Sequence, residues 1–413
     1  MSATDFLTIE DLEPEGKTIL LRADLNTPVD PKSGKLIEKA RIEEATVTIN
    51  SLSKSKLIVC SHQGRVGRDD YVSLEQHAKM LANILDRDVK FIDDVFGPAA
   101  REAILNLKPG EILLLENLRF AAEENFEYSS IEAAANTHIV KKLYPLLDGV
   151  VLDAFPTAHR AHPSIIGFPY YLPTAAGRLI VKELKGLHKI AQVAKGPYTA
   201  LLGGSKISDR LEAISSLIKN RKADKVLLTG LIALVFLKAA GRIKYPLDIP
   251  GEEAYVEKAK QLLSEYPDVF EMPIDVAVNR GGERVEVLIE KLKKGEKPLD
   301  IGTRTVDAYS KIIRSSGTIF MSGPPGAFEI DGFDKGTNEL LMTLATSYGT
   351  TIVSGGHLST ALKKLGVASW IDYISTAGGA LIQYLSGKKL PLFEALSYSA
   401  KKMREGGYKK ANR

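Results

Sequence analysis

The chain has 413 residues, of which 44% are hydrophobic and 26% charged, with a formal net charge of +4 at pH 7. That length exceeds what one core accommodates, so two domains are expected; a modest charge not gathered into a basic run argues against nucleic acid as a partner. The one cysteine, Cys60, permits no internal disulfide, no stretch approaches the roughly 20 apolar residues that span a bilayer, and the first residues lack the basic and apolar regions of a signal peptide, so a cytoplasmic protein with no membrane partner is expected.

The first apolar run, residues 18–22, leads into Ala23-Asp24-Leu25-Asn26-Thr27-Pro28. A second, residues 57–60, leads into Ser61-His62-Gln63-Gly64-Arg65, and places Cys60 as a small core residue. A third, 112–115, leads into Glu116-Asn117-Leu118-Arg119-Phe120, and a fourth, 146–152, into Asp153-Ala154-Phe155-Pro156-Thr157-Ala158-His159-Arg160-Ala161-His162. Each run is apolar throughout rather than alternating, the pattern of a strand buried on both faces of a parallel sheet. Residues 73–85 and 131–143 have the spacing of crossover helices. Strands of this kind deliver their C-terminal residues to one sheet edge, where open α/β sheets bind ligands. Any one of these loops alone is an ordinary solvated surface. Four together bring Arg65, Arg119, Arg160 and the histidines 62, 159 and 162 toward one crevice, fit for a small, strongly anionic molecule. Arginine supplies a planar fork of donors, and histidine a donor able to gain charge.

Residues 163–173, rich in proline and aromatics, interrupt the rhythm, and 177–188 follow with amphipathic helical spacing. A helix joining two domains is the reading adopted. Beyond it strands resume with a different loop chemistry. Residues 198–202 enter Gly203-Gly204-Ser205-Lys206-Ile207-Ser208-Asp209-Arg210, then a helix over 211–218. Lys206 and Arg210 stand four apart, which puts both on one helix face within reach of one phosphate chain. Runs at 317–321, 350–353 and 373–376 enter Ser322-Gly323-Pro324-Pro325-Gly326-Ala327-Phe328-Glu329, Ser354-Gly355-Gly356-His357 and Ala377-Gly378-Gly379-Ala380. Glycines let a backbone approach a ligand, and the N–H groups opening a helix favour anions. Singly each loop is a plain turn. Together on neighbouring sheet ends they point to a nucleotide site of backbone donors, with Glu329 either accepting from ribose hydroxyls or simply favoured at a helix start. Neither a Walker A loop nor a dinucleotide fingerprint occurs. Residues 387–391 break a last helix and leave an amphipathic segment, 393–403, and a polar tail.

These motifs, with Gly336-Thr337, occur in the order of the phosphoglycerate kinase family, which the chain resembles over nearly its full length. The resemblance implies an α/β fold of two doubly wound, parallel-sheet (Rossmann-like) domains joined by a long helix, with a hinge-bending cleft. Applied here, it gives a 3-phosphoglycerate-binding domain at 1–176 to which 392–413 return, an interdomain helix at 177–193, and a nucleotide-binding domain at 194–391. The implied activity is a glycolytic and gluconeogenic kinase, reversibly transferring the acyl phosphate of 1,3-bisphosphoglycerate to ADP with Mg2+. A monomer with small-molecule partners only is expected. Asp24, Asn26, His62, Arg65, Arg119 and Arg160 would hold 3-phosphoglycerate. Arg41 would steady the transferring phosphoryl group; by composition it reads as a solvated helix residue. Lys206 would meet the γ-phosphate, Glu329 the ribose, and Gly204, Gly356, Gly378 and Gly379 would line the nucleotide site, with no protein metal ligand assigned.

Three departures stand out. Arg210 replaces a second lysine, keeping charge but changing geometry. Ala377 replaces the first of three consecutive glycines. His357 replaces the aspartate that bacterial and eukaryotic members associate with the magnesium nucleotide, and imidazole is a poor magnesium ligand; histidine there marks archaeal-type members. Two other readings stay open. A catalytically weak, kinase-like scaffold draws on Ala377 and His357 alone. A nucleotide-binding oxidoreductase lacks its fingerprint, and nicotinamide binding would discriminate it.

Overall fold

In the computed structural model, which describes residues 6–408 apart from 221, 222, 376, 378 and 386 and omits the side chains of 189 and 191, the apolar runs are buried strands. The described residues separate into two compact units, one running to Lys185 and resuming at Lys389, the other Gly186–Lys388. The division falls within the helix Arg178–Val193.

In the first unit the strands are β1 (Thr18–Ala23), β2 (Lys56–Cys60), β3 (Lys90–Ile92), β4 (Ile112–Leu115), β5 (Gly149–Asp153) and β6 (Thr174–Ala176). They form one sheet in the order β3-β4-β2-β1-β5-β6, parallel at every pairing. All six residues of β1 are buried, as are all of β4 and β5, because helices cover both faces of such a sheet. Ile19, Leu21, Val59, Leu114 and Val151 pack on Ile42 and Ile49 of the helix Ala40–Ser51. Cys60 is a buried core residue, its thiol pushed up to about 12 by burial.

The second unit repeats the scheme with β7 (Tyr198–Leu202), β8 (Lys225–Leu228), β9 (Phe270–Glu271), β10 (Asp275–Arg280), β11 (Glu283–Leu288), β12 (Pro298–Ile301), β13 (Thr318–Ser322), β14 (Thr350–Ser354) and β15 (Tyr373–Ser375). Six of them make a parallel sheet ordered β15-β14-β13-β7-β8-β9. The chain runs outward from β7 through β8 to β9, then returns to build β13, β14 and β15 on the other side. β10, β11 and β12 form a separate antiparallel sheet. Its signal was present in the alternating residues either side of Gly281-Gly282, whose positive φ values of 63° and 93° close a hairpin.

Residues 131–143 do not form one helix. It stops at Ala135 and restarts at His138, because the Glu123 carboxylate accepts from the N–H groups of His138 and Ile139 at 2.9 and 3.1 Å and caps the new start. No helix among the described residues is long and apolar enough to cross a membrane.

Candidate active site

Strand register puts the predicted anion-binding residues at one level. Arg22 pairs with Cys60 on one side and Leu152 on the other, and Val59 with Leu114. The residues just past these pairs therefore emerge together at the C-terminal edge: Asp24 and Asn26 after β1, His62 and Arg65 after β2, Arg119 after β4, and Arg160 after β5. The loops are tied to one another. Asn26 Oδ1 accepts from Gly64 N–H at 2.9 Å, and the Arg119 guanidinium donates to the Gly64 carbonyl. Asn117 Oδ1 accepts from the N–H groups of Gln63 and Arg119, each at 3.1 Å. The Gln63 side chain in turn donates to Thr27 O at 2.9 Å.

Arg41, in the first turn of its helix, donates from Nη1 to Asp24 Oδ2 at 2.6 Å. Asp24 is buried and Arg41 half-buried, so the acid aims the guanidinium rather than competing for an anion. The electrostatics follow from the same convergence. Burial, then Arg22, Arg119, Arg41 and Arg160, hold the His62 imidazole well below its usual range. Burial, then Arg160, Arg22 and Arg65, pull Arg119 down to about 10 against the opposing Glu124. Cations crowded this closely, with Asp24 and Glu124 as the opposing charge among them, favour any anion that arrives. The capacity of histidine to gain charge is suppressed at His62 by that burial and by the four arginines. His162 also departs from expectation. It is buried, with Nδ1 3.7 Å from the fully buried Glu124 carboxylate, and belongs to the interior.

In the second unit Ser322 pairs with Leu202 and Ser354, and Ser354 with Ser375, so the glycine loops also start at one level. Gly203 and Gly323 touch: a Cβ on Gly323, whose φ is +80°, would lie 2.3 Å from the Gly203 carbonyl oxygen. The helices Ile207–Lys219 and Gly356–Leu365 begin at this edge, and their opening N–H groups suit an anion. Gly204 is half-buried, whereas Lys206, Gly356 and His357 are exposed. The His357 ring lies 5.4 Å from that of Phe328, on the loop carrying Glu329. Glu329 is exposed in a turn ahead of the helix Lys335–Ala345, not at a helix start. Gly379 opens the helix Gly379–Leu385, and Gly378 lies outside the described residues. Ala377 is fully buried and its carbonyl accepts from the Ser354 hydroxyl at 2.5 Å.

Arg210 is not beside Lys206 on an exposed face. It is 9% exposed, with Nε donating to Gly203 O at 2.9 Å and Nη1 to Ser322 Oγ at 3.0 Å. Burial brings its pKa down to about 10. Its fork braces the first two glycine loops, a use to which a lysine is unsuited. Two further residues escaped sequence reasoning. Asp300 accepts from Gly336 N–H at 2.8 Å and from Arg284 Nη1 at 3.0 Å, and Nη1 also reaches Gly332 O at 3.3 Å. A Cβ on Gly326 or Gly336 would lie 2.4 Å from Asp300 Oδ1. This ion pair pins the loop that carries Glu329.

Among the described residues no group of three or more His, Cys, Asp or Glu side chains is arranged to hold a metal ion. The donors at the second unit's edge are N–H groups, an ammonium and an imidazole. They suit phosphate oxygens and do not suit magnesium, which demands oxygen ligands.

The family described as phosphoglycerate kinase matches the chain over residues 9–388. The phosphoglycerate kinase of Methanobacterium bryantii is 46% identical over 400 residues, covering 95% of this chain and 97% of that one. That of Methanococcus maripaludis is 42% identical over 410 residues, covering 96% and 99%. Among solved structures, phosphoglycerate kinase from Pyrococcus horikoshii superposes with a TM-score of 0.86 at 37% identity, covering 96% of this chain and all of that one.

Proposed function

The chain belongs to the phosphoglycerate kinase family, and on that premise we propose that each unit carries one of the two ligands of its reaction. The reaction is the reversible transfer of the acyl phosphate of 1,3-bisphosphoglycerate to ADP, giving 3-phosphoglycerate and ATP. The first unit takes the phosphoglycerate and the second the adenine nucleotide. The observation that carries this division is the contrast between the two sheet edges, one cationic in its side chains and the other built of backbone donors.

In this reading Asp24, Asn26, His62, Arg65, Arg119 and Arg160 hold 3-phosphoglycerate. Arg41, aimed by Asp24, meets the charge that spreads over the transferring phosphoryl group. Lys206 and the N–H groups at Gly204, Gly356 and Gly379 hold the nucleotide phosphates, and Glu329 accepts from the ribose. No general base is required, since the attacking oxygen of ADP or of the substrate carboxylate is already anionic. Transfer demands donor and acceptor in line with water excluded, so closure of one unit on the other is part of the proposal. All of these residues come from one chain, so the reading needs no second copy.

Magnesium supplies charge neutralisation to the nucleotide phosphates when bound; the residues here offer it no cage. His357 donates to phosphate while nucleotide oxygens and water keep the metal. His357→Asp tests this: unchanged ADP affinity and unchanged magnesium dependence would remove His357 from the role. The whole reading is tested by a coupled assay with ATP, magnesium and 3-phosphoglycerate, with Arg41→Ala as control. Turnover abolished in the variant supports it. Binding of both ligands without turnover would instead leave a scaffold, which no observation here favours.

A further inference from the structure

Beneath the anion site lies a chain of buried polar groups that reaches it at His62 and of which the reaction as read uses no other member. Arg22, in β1, is 1% exposed, and each of its three guanidinium nitrogens has a partner other than a carboxylate among the described residues. Nε donates to Ser164 Oγ at 3.0 Å, Nη1 to the Ala23 carbonyl, and Nη2 lies 3.2 Å from His62 Nδ1. Ser164 passes its hydroxyl proton toward Glu124, whose other oxygen accepts Ser164 N–H at 3.1 Å. Glu124 is fully buried. Burial pushes its carboxyl up, but the hydrogen bond from His162 and the charge of Arg22 outweigh that and keep it ionised. The order is therefore carboxylate, hydroxyl, guanidinium, imidazole.

We propose that Arg22 is a positioning residue that fixes the tautomer of His62, leaving the ring proton on Nε2 as a donor to the anionic substrate. Arginine only donates. His62 Nδ1 must then accept, and a neutral ring with Nδ1 accepting carries its proton on Nε2. The alternative partner, Asp24 Oδ1, is 4.0 Å from Nδ1, beyond a hydrogen bond. The charged groups facing the ring are Arg22 from β1, Asp24 just past it, Arg41 from the helix Ala40–Ser51, Arg119 after β4 and Arg160 after β5. Only Asp24 favours protonation. Removing Arg22 deletes both the Nδ1 donor and a neighbouring cation, so Nδ1 becomes free to take a proton and turn to Asp24. An arginine set in this way converts a histidine from a pH-responsive group into a constant hydrogen-bond donor.

The tautomer itself rests on no functional assignment; its use rests on the proposal that His62 holds phosphoglycerate. The two are separable by nitrogen-15 NMR of the full chain labelled at histidine, with His62 identified by the signal lost in His62→Gln. In the free wild-type protein the His62 ring is expected as one species, protonated at Nε2, unchanged between about pH 5.5 and 8. A proton on Nδ1, or titration at an ordinary histidine pH, overturns the proposal. In Arg22→Met the ring is expected to lose its single tautomer and titrate. KM for 3-phosphoglycerate should rise about tenfold, the scale of one hydrogen bond to a charged group, with KM for ATP unchanged. A ring that keeps its wild-type behaviour in that variant overturns the role of Arg22. Should Arg22→Met fail to fold, Ser164→Ala loosens the same guanidinium and is expected to mix the tautomers; an unmixed ring there counts against it. If the free-state tautomer is as stated but 3-phosphoglycerate leaves the His62 signals unmoved, the substrate assignment falls and the tautomer stands.

Discussion

The two units solve one geometric problem with different chemistry. Both present the C-terminal edge of a parallel sheet. At that edge the first unit places Arg65, Arg119 and Arg160, while the second places Gly203, Gly323 and Gly355. Side-chain cations are long, and the first unit uses much of its polar interior to hold donors still: Asn117 accepts from Arg119 N–H, Asp24 from Arg41, and the buried Arg22 faces His62. Backbone donors need no such aiming, but they require that no Cβ intervene. Where the second unit uses charged side chains internally, as at Arg210 and the Arg284–Asp300 pair, they brace loops rather than reach for a ligand. A small ligand rich in charge for its size suits the first arrangement, and a longer phosphate chain suits the second.

The largest expected effect tests whether the first unit contributes to transfer as well as to binding. Arg41→Ala should lower kcat on the order of 10³-fold, as other phosphoryl-stabilising arginines do, with a much smaller change in substrate affinity. A rise in KM with kcat preserved would reduce Arg41 to a binding group and leave the first unit with no transfer-specific cation.

Next in size is a contrast between alanines. Gly323→Ala places a Cβ against the Gly203 carbonyl at a positive φ, so it should destabilise the second unit by about 2 kcal/mol and weaken nucleotide binding. Arg65→Ala, at an exposed position, should change stability by less than about 0.5 kcal/mol while raising KM for 3-phosphoglycerate. Denaturant unfolding of both variants checks this; equal stability losses would erase the distinction between the two kinds of site.

Each unit also buries one acid that burial pushes up to about 6, Asp153 in the first and Asp300 in the second. Asp153 accepts from the N–H groups of Leu179 and Ile180 at 2.9 and 3.1 Å, capping the helix Arg178–Val193. A carboxyl whose folded pKa lies above its unfolded one stabilises below the unfolded value and loses that stability as pH rises through the folded value. Each therefore contributes a term on the order of 1–3 kcal/mol that disappears between about pH 4 and 6. Unfolding free energies of Asp153→Asn and Asp300→Asn, each compared with wild type, should shift in favour of the variant across that window. A difference independent of pH would mean that the carboxyl titrates alike in the folded and unfolded chain.

The smallest effect concerns how the returning C-terminal segment is held on the first unit. Lys402 Nζ lies 5.1, 5.7 and 5.0 Å from the ring centroids of Tyr170, Tyr398 and Tyr408. Lys402→Met should cost about 1 kcal/mol in unfolding experiments and leave ATP affinity unchanged. A change in nucleotide affinity would show that the segment serves the second unit too.

The position of the candidate site residues in the fold was legible wherever a residue follows directly on a buried strand. Asp24, His62, Arg119 and Arg160 sit past apolar runs, and runs of that kind dictate both the parallel sheet and the edge at which the next residues emerge. Spacing misled where burial overrode it. Arg210 stands one helical turn from Lys206, yet its guanidinium turns inward because Gly203 O and Ser322 Oγ need a donor there. The continuous helical pattern over 131–143 broke because Glu123, outside the segment and 15 positions before His138, captured the N–H groups of His138 and Ile139.

By itself the sequence determined the strand-helix alternation, the two parallel sheets, and which residue types stand at their C-terminal edges. These follow from local hydrophobic pattern and from motifs contiguous along the chain. Only the tertiary structure decided how those residues are aimed. Arg22 and Ser164 are 142 positions apart, and Arg210 and Ser322 are 112 apart. A hydrogen bond constrains atoms to within a few tenths of an ångström, whereas a pattern of side chains fixes only the face on which each one stands. Which group faces His62 Nδ1, and which arginine turns inward to brace a loop, is set by that finer scale.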